Sequence, residues 1–232
     1  MILVLLMVAS YLLGSIPTGY WLVKGLKGID IRQVGSGSTG TTNVLRSAGR
    51  GAAAIVFLVD IGKGVLPVRV AVWVAGAHML APLPSELTDW APFMVALSAL
   101  IGHSKSIFLN FQGGKSAATG LGTIIAMNWL TGSSMLLLWA AIIFATRLVS
   151  LASIIAAASS VVFMYLFGGQ GSYIAYCFLG AAYVIIRHKS NIKRLLSGTE
   201  PKIGQKADLG KASERQQVDV PEEAAGPTAG NM

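Results

Sequence analysis

Three short stretches of an otherwise apolar chain collect cations, hydroxyls and glycines, a combination suited to holding a small anion. The first is GSGSTGTTNVLR (35–46). Gly35, Gly37 and Gly40 let the backbone turn sharply and approach a ligand closely. Backbone N–H groups and hydroxyls at the start of a following helix make an anion site around Gly40, Thr41, Thr42 and Asn43. Arg46 is placed to close that site with a two-pronged contact to phosphate. A flexible polar loop is the competing reading.

The second stretch is GHSKSIFLNFQGGKSAATGLGT (102–123), with His103 at the end of one apolar segment and Gly113, Gly114 and Lys115 opening the next. It is not a Walker A loop, because Leu109 stands where that motif needs glycine. A lysine at a helix start opposes the helix dipole, and an anionic ligand beside Lys115 removes the conflict. Anchoring the topology is a second job that Lys115 could do. The third stretch is RHKSNIKRLLSGTEPKIG (187–204), in which Arg187, Asn191 and Arg194 share a helix face and His188 adjoins it. Its plain alternative is a basic stub lying on an anionic leaflet. A fourth, VDIGKG (59–64), puts Asp60 and Lys63 inside an apolar segment, where charges are expected to pair. A structural ion pair is the simpler account of those two. His78 falls at the opposite end of its segment and reads as interfacial.

The elements that must position these groups are helices in a membrane. Of 232 residues, 53% are hydrophobic and 12% charged, about half the charged share of a soluble domain. Mean hydropathy is +0.64. This excludes a soluble enzyme, a disordered chain and a uniformly basic nucleic-acid binder. The single cysteine, Cys177, excludes an internal disulfide framework and a cysteine zinc site. The apolar opening reads as a retained first helix, since no basic residue precedes it and no small-residue cleavage site follows. Runs of apolar residues predict about seven transmembrane helices, some short: 1–23, 51–78, 90–103, 116–130, 133–147, 149–167 and 172–187. Five full spans with re-entrant pieces is the rival count.

Loop charge tests that count. The loops 24–50, 103–115 and around Arg147, and the segment after 187, carry Lys and Arg, whereas 79–89, 128–134 and 168–171 carry none. Regular alternation puts the amino terminus outside, the carboxyl terminus in the cytoplasm and all glycine-rich motifs on the cytoplasmic side. Residues 205–232 have three basic residues against five acidic ones and no periodic apolar face. They read as a disordered polar tail. The formal charge of +8 therefore divides into +10 on a transmembrane domain at 1–204 and −2 on the tail.

Several enzyme signatures are absent. No histidine is followed five residues on by aspartate, the positions being Leu83, Phe108 and Lys193. Neither HExxH nor GxSxG nor the CDP-alcohol phosphotransferase pattern occurs, and three scattered histidines with few carboxylates do not suggest a metal. Taken in order, GSGSTGTTNVLR, VDIGKG, GHSKSIFLNFQGGKSAATG and HKSNIKRLLSGTEPKIG, with the opening GSIPTGY, resemble the bacterial acyl-phosphate:glycerol-3-phosphate acyltransferases over about residues 1–204. Departures from that family's usual pattern are Ser38, Thr39 and Thr41 in the first motif, and Ser106, Gln112 and Ser116 in the second.

The resemblance implies an all-α integral membrane protein of the inner membrane, with seven spans. It implies transfer of an acyl group from acyl-phosphate to the 1-hydroxyl of glycerol-3-phosphate, giving lysophosphatidic acid and phosphate. No cofactor, metal or nucleic acid is expected; the partners are the two substrates and membrane lipid. Arg46, Lys115 and His188 are expected to hold glycerol-3-phosphate, Ser36 and Asn191 to position its hydroxyl, and Gly40 to Asn43 to hold the acyl-phosphate head. His103 either orients the site or shuttles a proton. Asp60, Lys63, Arg194 and Glu200 are assigned supporting parts. A small-anion transporter is the alternative from another class. It is weakened by the lack of basic residues in the outer loops.

Overall fold

The computed structural model describes residues 1–80 and 83–205. The tail read as disordered lies outside the described residues, apart from Gln205. The elements are α1 (Ile2–Ser15), α2 (Thr18–Lys27), α3 (Thr41–Ala48), α4 (Arg50–Gly76), α5 (Ser85–Asp89), α6 (Ala91–Ser104), α7 (Ala117–Met127), α8 (Trp129–Thr146), α9 (Val149–Leu166), α10 (Gly171–Arg187) and α11 (Lys189–Leu196). Among the described residues the only extended pairing is a single bridge between Ser106 and Gln112.

Seven apolar helical segments emerge, in the order expected, when α1 and α2 are counted as one. The α1–α2 pair, α8 and α9 are each long and apolar enough to cross a bilayer. By contrast α6, with 14 residues, and α7, with 11, reach only about 21 and 16 Å, short of a ~30 Å hydrocarbon core. Outward faces are apolar: Leu137, Phe144, Tyr165 and Phe178 are all exposed, as suits a surface wetted by lipid rather than water.

Two details differ from the sequence reading. The first span breaks at Ile16 and Pro17. The Lys63 ammonium, buried in α4, donates to the Ile16 carbonyl at 2.6 Å and to Asp60 Oδ1 at 2.7 Å, so a charge pair inside the bundle satisfies the opened backbone. The turn expected over 128–134 shrinks to Asn128 alone. Its side chain accepts the Thr131 N–H at 3.0 Å and starts α8 at once. Gly132, read as a turn residue, instead lies against Ile125, where a side chain would collide. Small polar residues there serve a close helix crossing.

Close crossings also set the depth of the motifs. Gly64 on α4 rests on the backbone of α7, and Gly122 on α7 rests on the backbone at Ile61. On the other side Gly14 of α1 touches the backbone at Ala99 of α6, and Gly102 of α6 touches α1 at Tyr11 and Ser15. In lipid, helices associate by such small-residue contacts, since apolar burial alone gives no preference for protein over tails. The result locks α1, α6, α4 and α7 into register, with Asp60, His103 and Lys115 at one end of the bundle.

Candidate active site

In the first motif, one buried side chain shapes the loop. Asn43 is 1% exposed. Its amide nitrogen donates to the carbonyls of Ile31 (3.1 Å), Val34 (3.0 Å) and Ser38 (2.9 Å), and its Oδ1 accepts the Ser36 N–H at 3.2 Å. Gly35 (φ 58) and Gly37 (φ 66) take the left-handed turns this wrapping needs. The sequence reading gave the backbone from Gly40 to Asn43 to the acyl-phosphate head; the Asn43 side chain is engaged within the loop and sets that backbone's shape. Gly40 caps α3, whose first N–H groups, at Thr41 and Thr42, face the cavity with Ser36, Ser38 and Arg46. Arg46 Nη2 donates to the Pro201 carbonyl at 3.0 Å, which ties α3 to the segment after α11.

The second motif is built against His103. The imidazole Nδ1 lies 3.7 Å from Asp60 Oδ1. Gly114 donates its N–H to the His103 carbonyl at 3.1 Å. A β-carbon on Gly113 would strike that carbonyl, and one on Gly114 would strike the ring at Nε2. Gly113→Ala is therefore expected to cost about 1–3 kcal/mol, measured as a lower unfolding temperature, because backbone must move. Gly114→Ala meets a side chain and is expected to cost less stability while displacing the imidazole. Ser116, where the resembled family carries glycine, sits at φ 61. Its Oγ donates to the Leu100 carbonyl at 2.8 Å, offsetting the strain of a left-handed backbone. Ser106 likewise donates to the Ser15 carbonyl at 2.5 Å, fastening the loop to α1.

The third motif completes a hydrogen-bond chain. Lys115 Nζ donates to Asn191 Oδ1 (2.6 Å), Asn191 Nδ2 donates to Glu200 Oε1 (2.7 Å), and Arg194 Nε donates to Glu200 Oε2 (2.7 Å). A carboxylate only accepts, so it fixes which end of the Asn191 amide faces it and turns Oδ1 toward Lys115. Burial pushes Glu200 up, but hydrogen bonds including those from Asn191 and Arg194 outweigh it and hold the carboxyl below its ordinary range. Burial pushes Lys115 down to about 8, with Arg194, Arg46 and Arg187 adding to the effect and Glu200 opposing it. Burial pushes His188, at the α10–α11 joint, down to about 4. Its Nδ1 donates to the Val184 carbonyl at 2.7 Å, so in the neutral ring Nε2 is an acceptor. The sequence reading has His188 help hold glycerol-3-phosphate; a neutral Nε2 is able to accept from a hydroxyl.

One cavity of about 190 Å³ joins these pieces. Ser36, Gly40, Thr41, Thr42, Asn43, Arg46, Asp60, His103, Lys115, His188, Asn191 and Glu200 all line it. Lys63 and Arg194 stand behind Asp60 and Glu200. Sequence reasoning missed the inner wall, including Met135, Trp139, Ser160 and Tyr176, because one apolar residue in a span looks like the next. It also missed that Arg147, read only as a basic loop charge, fastens the segment after α11: its carbonyl accepts the Ile203 N–H at 2.9 Å. Among the described residues no three His, Cys, Asp or Glu come together as a metal site. What converges is cations and free N–H groups at the mouth, over an apolar interior.

Fold and cavity together define an all-α integral membrane protein with a cavity lined by cations and by apolar side chains. The family profile for glycerol-3-phosphate acyltransferase matches residues 4–198. A glycerol-3-phosphate acyltransferase of Trichormus variabilis is 50% identical over 205 residues, 86% of this chain and 91% of the relative. That of Thermosynechococcus vestitus is 46% identical over 203 residues, 88% and 96%. The crystal structure of PlsY (YgiH), an integral membrane glycerol 3-phosphate acyltransferase, in its glycerol 3-phosphate form, superposes with a TM-score of 0.80 at 36% identity, covering 88% of this chain and 96% of that one. Its lysophosphatidic acid form gives 0.78 at 34%, covering 88% and 97%. The chain belongs to the glycerol-3-phosphate acyltransferase family and is a membrane acyltransferase.

Proposed function

We propose that the protein transfers a fatty acyl group from acyl-phosphate to the 1-hydroxyl of sn-glycerol-3-phosphate, releasing lysophosphatidic acid and phosphate. The observation that carries this reading is the cavity's polarity: Arg46, Lys115 and the start of α3 at its mouth, and an apolar interior among α4 and α7 to α10. Two phosphates meet at such a mouth, one on each substrate, and the acyl chain lies inside. The motif end faces the cytoplasm of a bacterial inner membrane, with the amino terminus outside, and residues 1–204 suffice for the chemistry.

Phosphate is a good leaving group, so the residues need to orient and neutralise rather than supply a strong nucleophile. Arg46 and Lys115 hold the phosphate of glycerol-3-phosphate. The N–H groups from Gly40 to Thr42 hold the acyl-phosphate head. Nε2 of His188 accepts from the 1-hydroxyl, whose oxygen accepts from Ser36 Oγ, while Asn191 Oδ1 holds Lys115 in place beside it. The hydroxyl oxygen attacks the acyl carbonyl, the bond to phosphate breaks, and the proton passes by way of His188 Nε2 to an oxygen of the departing phosphate. His103, held beside Asp60, orients the Gly113–Gly114 turn and through it Lys115. No base is hydrogen-bonded to Ser36 Oγ among the described residues, which favours direct transfer. Isolation of an acylated protein formed without glycerol-3-phosphate would overturn that choice.

Phosphate release on mixing the purified protein with acyl-phosphate and glycerol-3-phosphate tests the reaction. Arg46→Ala should raise KM for glycerol-3-phosphate about tenfold to a hundredfold, the worth of a charge-assisted contact; unchanged kinetics would remove Arg46 from the site. The pH profile tests Lys115. Its cationic form binds phosphate, so kcat/KM for glycerol-3-phosphate should fall as pH rises through about 8. Lys115→Arg should move that limb to higher pH. The effect on stability has the opposite sign. Between about 8 and the ordinary lysine value only the unfolded chain keeps the proton, so folding gains as pH rises.

A further inference from the structure

We infer that the inner half of the cavity is a chain-length gauge, with Met135, Ser160 and Tyr176 as its floor and Gly180 as the position that keeps it open. This rests on the acyl-phosphate reading above. The three floor residues come from three helices, α8, α9 and α10. Each lies about three turns, or ~16 Å, from the end of its helix that faces the motifs, at Thr146, Val149 and Arg187. Three independent helices thus place a lining side chain at a similar distance from the motif end, which we take as the floor. A fully extended chain advances roughly 1.2 Å per bond, so ~16 Å holds on the order of thirteen bonds. Longer tails must bend.

The floor is finished as an apolar surface. Tyr176, 1% exposed, shares a hydrogen bond of 2.5 Å with Thr123 on α7, and Thr123 in turn donates to the Gly120 carbonyl at 2.7 Å. Ser160 donates to the Ala157 carbonyl at 2.6 Å. Every hydroxyl at this depth is engaged, so none asks for water, and an alkyl end meets no unpaired donor. The side wall is held in place as well. Trp139 stacks on Phe57 with ring centres 5.7 Å apart and donates through Nε1 to Ser153 at 3.2 Å.

About two-thirds of the way down, some two turns from Arg187, the wall carries no side chain at Gly180. A β-carbon there meets nothing nearer than 3.6 Å, with Tyr176 and Leu100 as its neighbours, and across the cavity Gly120 is similarly open toward Leu100 at 3.9 Å. Neither glycine packs against backbone, unlike Gly64 or Gly122. A β-carbon at Gly180 therefore rests at ordinary van der Waals distance from side chains only, and a branched side chain reaches into the path of a tail without meeting helix backbone.

The test compares kcat/KM for octanoyl, dodecanoyl and hexadecanoyl phosphate in the full chain, Gly180→Val and Met135→Ala. Gly180→Val should lower the hexadecanoyl-to-octanoyl ratio by about tenfold or more, the scale at which apolar pockets discriminate length. Met135→Ala should raise that ratio. If Gly180→Val does not fold, Gly180→Ala carries the same sign with a smaller change. Equal losses at every length in both variants would place the tail elsewhere and overturn the gauge. A wild-type chain that releases no phosphate from any donor overturns the acyl-phosphate reading instead. The gauge is then judged by whether lysophosphatidic acids of the same lengths raise the unfolding temperature in a length order that Gly180→Val shifts toward short chains; an unshifted order refutes it.

Discussion

Asn43→Asp is expected to abolish measurable acyl transfer and to lower the unfolding temperature sharply. The substitution changes one NH₂ to oxygen in a side chain that is 1% exposed. That NH₂ now divides its two hydrogens among the carbonyls of Ile31, Val34 and Ser38. A carboxylate there faces three acceptors with no cation hydrogen-bonded to it, and the cost is about 4 kcal/mol or more. The loop must open, and the N–H groups at the start of α3 lose their aim. Protonating the new carboxyl restores one donor, so stability should recover partly as pH falls. Retention of wild-type activity by Asn43→Asp would show that the loop does not shape the site.

Glu200→Gln is expected to reduce kcat/KM for glycerol-3-phosphate about a hundredfold while leaving the chain-length preference in place. Glu200 accepts from Asn191 on one oxygen and Arg194 on the other. Glutamine keeps one acceptor and sets an NH₂ against the other donor. If Asn191 is the partner lost, its amide is free to turn over and present NH₂ to the Lys115 ammonium. Two charge-assisted hydrogen bonds at about 1.5 kcal/mol or more each set the scale. The carboxyl also supplies the negative charge among Arg46, Lys115 and Arg194. The sign with pH follows from the lowered value of Glu200: its contribution to folding is complete above the ordinary carboxylate range and is lost as pH falls through it. Initial-rate kinetics on both substrates separate this from general unfolding, because a misfolded chain loses selectivity for length as well. If Glu200→Gln kept the wild-type kcat/KM for glycerol-3-phosphate, the chain from Arg194 to Lys115 would have no part in the reaction.

Much of the site was legible in the residues. Glycines and hydroxyls before a helix, a lysine at a helix start and an Arg-Asn-Arg face with a histidine beside it each have a local chemical meaning. Their common address at one end of the bundle followed from alternating loop charge. The count of seven apolar segments came from run lengths alone. Roles were less legible than membership. Asn43, His188 and Asn191 are all polar residues of a motif, and nothing in their spacing says whether a side chain faces the ligand or its own loop. The turn expected over 128–134 is drawn too long for a similar reason. Thr131, Gly132, Ser133 and Ser134 have turn composition, but a helix crossing in lipid demands the same small residues.

By itself, the sequence determined that the chain lives in lipid, how many times apolar helix recurs, and that its scarce cations cluster for an anion. Those properties depend on composition and on neighbours a few residues apart, which a one-dimensional string records. Only the tertiary structure decided that Lys115 reaches Asn191 and Glu200, that Lys63 repairs a break at Ile16, and that Met135, Ser160 and Tyr176 line one cavity. Each of these joins residues far apart in the chain through the depth at which helices cross. That depth is set by glycines meeting backbone, a distance of closest approach that local sequence does not encode.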